Sequence, residues 1–246
     1  MTRKSVKSKW RYFSAGEKIL WCVSVILITV AFALFDRKNV LTLAASVIGV
    51  TSLLFNAKGN PFGQALMVVF SILYGIISFS FSYYGEMITY IGMTMPMAIF
   101  SLVSWLKHPY DGKGSEVRVN HLRKKEVVFM WLLSVLITLL FYFILKAFRT
   151  ANLMPSTISV ATSFLAVYLT FRRSAFYAVG YAANDLVLIV LWILAAMENR
   201  SYLAVVICFI IFFINDVYGF VSWRRMKERQ KNPAGKTSGR PAKSQK

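Results

Sequence analysis

Negative charge is what this sequence has least of. Ten Asp and Glu stand against 29 Lys and Arg in 246 residues, and charged side chains of both signs amount to 16% of the chain, where a soluble domain carries roughly 25%. With 57% hydrophobic residues, that deficit excludes an ordinary water-soluble fold. Cysteine is nearly absent: Cys22 and Cys208 both lie inside apolar runs, which excludes a disulfide scaffold and reads as two small buried hydrophobes. The two histidines, His108 and His121, lie outside every apolar run, so a Ser-His hydrolase embedded among those runs would have no base. No Gly-rich phosphate loop occurs, which removes ATP-driven transport by this chain alone. Thirteen Gly, six Pro and 15% aromatic residues exclude a collagen-like, coiled-coil or wholly disordered chain. No metal, cofactor or catalytic residue is expected.

Apolar runs fill what remains. A bilayer core about 30 Å thick needs about 20 such residues per helix, and eight runs qualify. They are approximately Lys18 to Phe35, Val40 to Asn56, Phe62 to Ser80, Tyr84 to Leu106, Glu126 to Lys146, Pro155 to Phe171, Ala175 to Ala196 and Ser201 to Val221. The fold class expected is an all-α integral membrane protein. The first run follows a basic segment, as a signal peptide would, yet it has no small-residue cleavage site and further spans follow closely, so it reads as a retained helix.

Eight crossings place both termini on one side. Of the 29 Lys and Arg, 24 fall on that side: in the arm 1–17 and at Lys18, at Lys58, in the loop 107–125, at Arg172 and Arg173, and in the tail 224–246. Basic residues near helix ends stay in the cytoplasm, so both termini and the loop 107–125 are expected inside. The net charge of +19 then reports topology and gives no sign of nucleic acid. The tail from Lys227, rich in Lys, Gly, Pro and Ser, is expected to be disordered and drawn to anionic lipid.

Val-Ser-Trp closes two spans, at Val103-Ser104-Trp105 and Val221-Ser222-Trp223, each followed closely by a basic residue and each ending a set of three spans. Trp and Lys or Arg are common interfacial anchors, but the grouping around them is regular. It divides the chain into an added N-terminal helix (18–35), a first three-helix repeat (40–106), a linker helix (126–146) and a second three-helix repeat (155–223). An odd number of crossings separates the triplets, which makes them parallel repeats of a 3+1+3 bundle. Substrates of such carriers bind near the midplane between repeats.

Polar groups inside spanning helices are functional candidates by default. Asn184-Asp185 lies in the seventh span and Asn215-Asp216 in the eighth, with Tyr181 and Tyr218 nearby. Amide and carboxylate groups beside aromatic rings suit a ligand with hydroxyls at one end and a flat ring at the other. Trp192, Tyr74 and Gln64 complete the candidate substrate-binding set, while interhelical hydrogen bonding is the plainer role for any of these polar groups. Glu86 reads as a solvated carboxylate at a helix start, and Pro96 is expected to kink the fourth span. Asp185 and Asp216 could also form an aspartyl dyad, but a Gly-x-Gly-Asp context is absent and the two are expected at different depths.

Tyr84-Gly85-Glu86-Met87, Pro96-Met97, Trp105, Asn215-Asp216-Val217-Tyr218-Gly219 and Trp223-Arg224-Arg225 together resemble the PnuC family of bacterial vitamin transporters, over about Val40 to Arg225. The resemblance implies a fold similar to SWEET transporters, location in the bacterial cytoplasmic membrane, and facilitated uptake of nicotinamide riboside, with phosphorylation by a cytoplasmic kinase trapping the substrate. It maps the aromatic-x-x-x-Asn/Asp element onto Tyr181 and Asp185, and the last-helix motif onto Asn215, Asp216 and Tyr218. Riboflavin, thiamine and deoxynucleoside carriers resemble the same family. Two positions depart from its riboside-binding members: Gly180-Tyr181 where Trp is common, and Ala98 where Gln often follows Pro-Met. The partners expected are a small vitamin or nucleoside, the lipid bilayer, the kinase through function alone, and, as an option, further copies in a homo-oligomer.

Overall fold

Eight helices long and apolar enough to cross a membrane make up this computed structural model, among the residues it describes, 12–80, 83–150 and 152–232. They are α1 (Ala15–Phe35), α2 (Val40–Ala57), α3 (Pro61–Ser80), α4 (Tyr84–Lys107), α5 (Lys124–Ala147), α6 (Leu153–Phe171), α7 (Tyr177–Glu198) and α8 (Leu203–Lys231). A short antiparallel hairpin, Pro109–Tyr110 (β1) with Lys113–Val117 (β2), fills part of the loop between α4 and α5. Apolar side chains face outward as well as inward. Leu132, Val135, Leu136, Leu139, Leu140 and Phe143 of α5 are all exposed, a surface that lipid solvates and water would not.

Local chemistry sets the helix ends. Ser14 caps α1 by accepting from the Glu17 N–H at 3.2 Å while the Glu17 carboxylate accepts from the Ser14 N–H at 2.7 Å, a reciprocal capping box. The helix therefore starts at Ala15, three residues before the expected Lys18. The loop between α2 and α3 turns on Gly59, with φ +64°, and the Asn60 carboxamide accepts from the Phe62 N–H as Pro61 opens α3, the helix position Pro suits best. Within α4, Pro96 is preceded by a π-helical turn, Tyr90–Thr94. The kink expected at Pro96 is thus a wide turn just ahead of it, a feature common at functional sites.

Two triplets, α2-α3-α4 and α6-α7-α8, pack so that the last helix of each lies against the first helix of the other: α4 on α6 and α8 on α2. The repeated Ser-Trp pair makes this crossing specific. Ser104 Oγ donates to the Phe171 carbonyl at 3.2 Å and Trp105 Nε1 to the Thr170 carbonyl at 2.9 Å. In the other half Ser222 Oγ donates to the Ala57 carbonyl and Trp223 Nε1 to the Asn56 carbonyl, each at 2.7 Å. Carbonyls in the last turn of a helix lack intrahelical partners, and each triplet supplies the donors the other needs. The two indoles are fully buried and 5.4 Å apart between centroids.

The loop between α4 and α5 straps both triplets at corresponding turns. Its Val117 N–H donates to the Gly59 carbonyl and its Asn120 N–H to the Arg173 carbonyl, both at 2.9 Å. Gln230 accepts from the Val119 N–H and donates to Glu116, which also pairs with Arg229 at 2.5 Å. These contacts hold α8 helical to Lys231, so the first five residues of the expected disordered tail, from Lys227, are helix, and the tail beyond 232 lies outside the described residues. The arm 1–11 lies outside them too. Added helix α1 packs on α2 and α8, and linker helix α5 on α6.

Candidate functional site

Asp185 stands eight residues along α7 from Tyr177, and Asp216 stands seven residues before Trp223 on the antiparallel α8. Tyr177 and Trp223 touch, with rings 4.8 Å apart, so the two carboxyl groups lie at the same depth. Both line one cavity and are almost wholly buried. This corrects the expectation of different depths. Gly180, one residue from Tyr181, lets α7 approach α6 closely: a Cβ there would come 2.8 Å from the Ala166 Cα, the small-residue contact by which membrane helices close up.

Around the carboxyl pair lies a cavity lined by Phe70, Tyr90, Tyr181, Asn184, Phe212 and Thr94, together with neighbouring apolar side chains. The Asn184 carboxamide oxygen accepts from Thr162 Oγ1 and Ser163 Oγ, each at 2.9 Å, so its NH₂ is what remains to offer a ligand. Asp185 Oδ2 is buried with no hydrogen-bond partner among the described residues. Among the described residues no Lys, Arg or His lines the cavity. Its volume is about 30 Å³, the share of one water molecule in the liquid, so this conformation is closed around the site.

Four of the nine residues expected in the site, Tyr181, Asn184, Asp185 and Asp216, line this cavity. Tyr74 and Trp192 form the layer farther from the basic end. The Tyr74 ring sits 4.5 Å from Tyr90 and 5.5 Å from Phe70, and Trp192 packs on Tyr74 and Tyr83 at 6.3 and 5.1 Å. The other three are placed elsewhere. Asn215 points the opposite way from Asp216 and donates to Ser24 Oγ of α1 at 3.0 Å and to the Ile211 carbonyl. Tyr218 donates to Glu17 Oε1 at 2.9 Å, where Glu17 also pairs with Lys58. Gln64 donates to Asn56 Oδ1 at 2.8 Å and ties α3 to α2. Successive helical residues differ by about 100° in direction, which is why neighbours in sequence part company here.

Sequence reasoning passed over the aromatic wall, Phe70, Tyr90, Phe209 and Phe212. One available signal was Pro96, because the widened turn before it contains Tyr90 and Thr94. Glu86, expected at a solvated helix start, is 2% exposed and lies against Ser159 of α6. A second cavity of about 390 Å³ opens at the basic end between Tyr12, Glu17, Lys58, Tyr218, Ser222 and Arg225, beside the Ser222 half of the Ser-Trp contact.

Residues 39–225 match a family model described as nicotinamide mononucleotide transporter. One relative, the nicotinamide riboside transporter PnuC of Neisseria mucosa, is 24% identical over 225 residues that span 89% of this chain and 84% of that protein. A solved structure described as the crystal structure of the vitamin B3 transporter PnuC shares the fold with a TM-score of 0.77 at 22% identity, covering 89% of this chain and 94% of that one.

Proposed function

We propose, starting from the premise that this chain belongs to the nicotinamide mononucleotide transporter family, that it is a facilitator for nicotinamide riboside or a closely similar nucleoside or vitamin. The observation that carries this choice is the charge of the cavity: two carboxyl groups, an amide and aromatic faces, with no cationic side chain among the described residues. A phosphomonoester carries close to two negative charges at neutral pH. Buried there without Lys or Arg, and facing Asp185 and Asp216, it would be strongly destabilised. The riboside without its phosphate has a flat pyridinium ring with a fixed positive charge, which suits carboxylates and the faces of Tyr90, Phe70 and Phe212. Its ribose hydroxyls suit Asn184 and the second carboxyl group. Thiamine shares a cationic ring, whereas riboflavin and deoxynucleosides do not.

Transport requires the closed cavity to open, and rocking of one triplet against the other around a midplane site is the motion that parallel repeats permit. Phosphorylation by a kinase on the far side would convert the cargo into the form that the cation-free cavity rejects, so uptake becomes one-way without ion coupling. The basic end is assigned to the cytoplasm because 15 of the 20 Lys and Arg among the described residues lie there, and basic residues near helix ends stay inside. A cysteine at Asn199 should then label from outside intact cells and one at Ser115 should not.

Binding calorimetry on the purified protein tests the reading. Nicotinamide riboside should bind, and the mononucleotide should bind at least about a hundred-fold more weakly, as expected when a desolvated charge lacks a partner. Equal or tighter binding of the mononucleotide would overturn it. The two carboxyl groups are also the one feature an aspartyl enzyme would share, and hydrolysis of a membrane peptide by the purified chain, abolished in Asp185→Asn, would favour that alternative.

A further inference from the structure

The turn between α6 and α7 carries two consecutive arginines, and the strap from the α4–α5 loop brings Arg118 close enough for its charge to act on Arg173. Arg172 is answered, because its Nε pairs with Glu126 at the start of α5. Arg173 is not: its Nε and Nη1 are buried and have no hydrogen-bond partner among the described residues. Burial first, then the charges of Arg172 and Arg118, push its guanidinium below the usual arginine range. Buried, unpaired charged donors are strongly unfavourable and call for an acceptor.

Among the described residues no Asp or Glu is left to answer it. All ten Asp and Glu lie within the described residues. At the basic end Glu17 holds Lys58, Glu116 holds Arg229, Glu126 holds Arg172, and Glu228 lies 3.9 Å from Lys231. Asp111 sits exposed in the hairpin turn, and the other five lie within the helices away from this end or at the opposite face. Nor does the fold demand an arginine here. In the first triplet the corresponding residue is Gly59, with φ +64° against 55° for Arg173, and its carbonyl is held by the strap in the same way. A left-handed turn favours glycine, so an arginine at this place is kept against backbone preference.

We propose that Arg118, Arg172 and Arg173 form a binding site for a phosphate-bearing group at the basic end, supplied either by an anionic lipid headgroup or by a free phosphate. A guanidinium fork matches two phosphate oxygens at once, and three such forks with one carboxylate leave the cluster short of negative charge. A lipid source agrees with the anionic leaflet that basic juxtamembrane segments meet. A free source would be a small phosphate ester or inorganic phosphate.

Melting of the full chain in nanodiscs separates the two. One arm uses phosphatidylcholine discs with inorganic phosphate titrated against chloride at matched ionic strength, and the other replaces phosphatidylcholine by phosphatidylglycerol. Arg173→Gly removes the fork while keeping the turn, and Arg118→Gln alters an exposed side chain. In the wild type, one arm should raise the melting midpoint. Arg173→Gly should abolish that rise and Arg118→Gln should weaken the response about ten-fold, as for one lost charge-assisted contact. A rise with phosphate assigns the free source, and a rise with phosphatidylglycerol alone assigns the lipid, which native mass spectrometry should also find retained on the wild type and lost from Arg173→Gly. If neither arm distinguishes the wild type from Arg173→Gly, the site does not exist. Nicotinamide riboside binding should be equal in the wild type and both variants, so this test stands apart from the midplane cavity.

Discussion

Counted back from the Trp that closes each triplet, the two halves part company in the middle. Eight and seven residues before Trp223 stand Asn215 and Asp216, while the same places before Trp105 hold Met97 and Ala98. The middle helix of the second triplet contributes Asn184 and Asp185, and that of the first, Pro61–Ser80, has no charged residue. At the basic end the halves agree: Ser104 and Trp105 do for α6 what Ser222 and Trp223 do for α2. Gly59 and Arg173 take the same left-handed turn. Even the ion pairs correspond, Lys58 with Glu17 of α1 and Arg172 with Glu126 of α5. Symmetry holds where the triplets fit each other and is lost around the proposed cargo site. The added helix α1 therefore stands to the first triplet, at its basic end, as the linker α5 stands to the second.

The largest effects should come from breaking the symmetric part. Trp105→Ala and Trp223→Ala each remove a fully buried indole and its hydrogen bond and should destabilise by about 3–5 kcal/mol, by similar amounts, as read by melting in detergent. A loss in one and not the other would break the correspondence. Next in size is the asymmetric part. Asp185→Asn and Asp216→Asn should each weaken riboside binding ten-fold or more, about 1.4 kcal/mol per decade, with melting unchanged or raised because a close pair of acidic groups is relieved. The double variant should lose less than the sum, as contacting residues do. Met97→Leu, at the matching place in the other half, should leave affinity unchanged.

Asn215→Leu and Glu17→Gln sharpen the comparison further. Each should lower stability by about 1–2 kcal/mol through lost contacts between α1 and α8 and leave calorimetric affinity near wild type. Glu17→Gln should exceed Glu126→Gln, because Glu17 also accepts from Tyr218 and from the Ser14 N–H, whereas an isolated, partly exposed pair contributes about 1 kcal/mol or less. Smallest are Ser104→Ala and Ser222→Ala, about 1 kcal/mol or below each, equal within error on the same melting assay.

The span count was readable from hydropathy, since a membrane imposes its thickness on every helix. The recurrence of Val-Ser-Trp was readable too, but not its meaning, because the carbonyls it answers lie 65 to 167 residues away. Adjacent letters misled at Asn215-Asp216, where one side chain faces α1 and the other the cavity. Glu86 misled for a related reason: its position near a helix start says nothing about the neighbour, α6, that covers it. The aromatic wall was hidden because Phe70, Phe209 and Phe212 look like any lipid-facing residue until the fold decides which way each turns.

The crossed Ser-Trp contacts also dictate how the chain must be made. As α4 is synthesised, Ser104 and Trp105 have no acceptor in the first triplet, and the last carbonyls of α2 have no side-chain donor until α8 exists. Neither half can finish its own basic end, so assembly is complete only with the final span. A chain cut within the α4–α5 loop should yield two pieces that are unstable when expressed apart and become protease-resistant when expressed together.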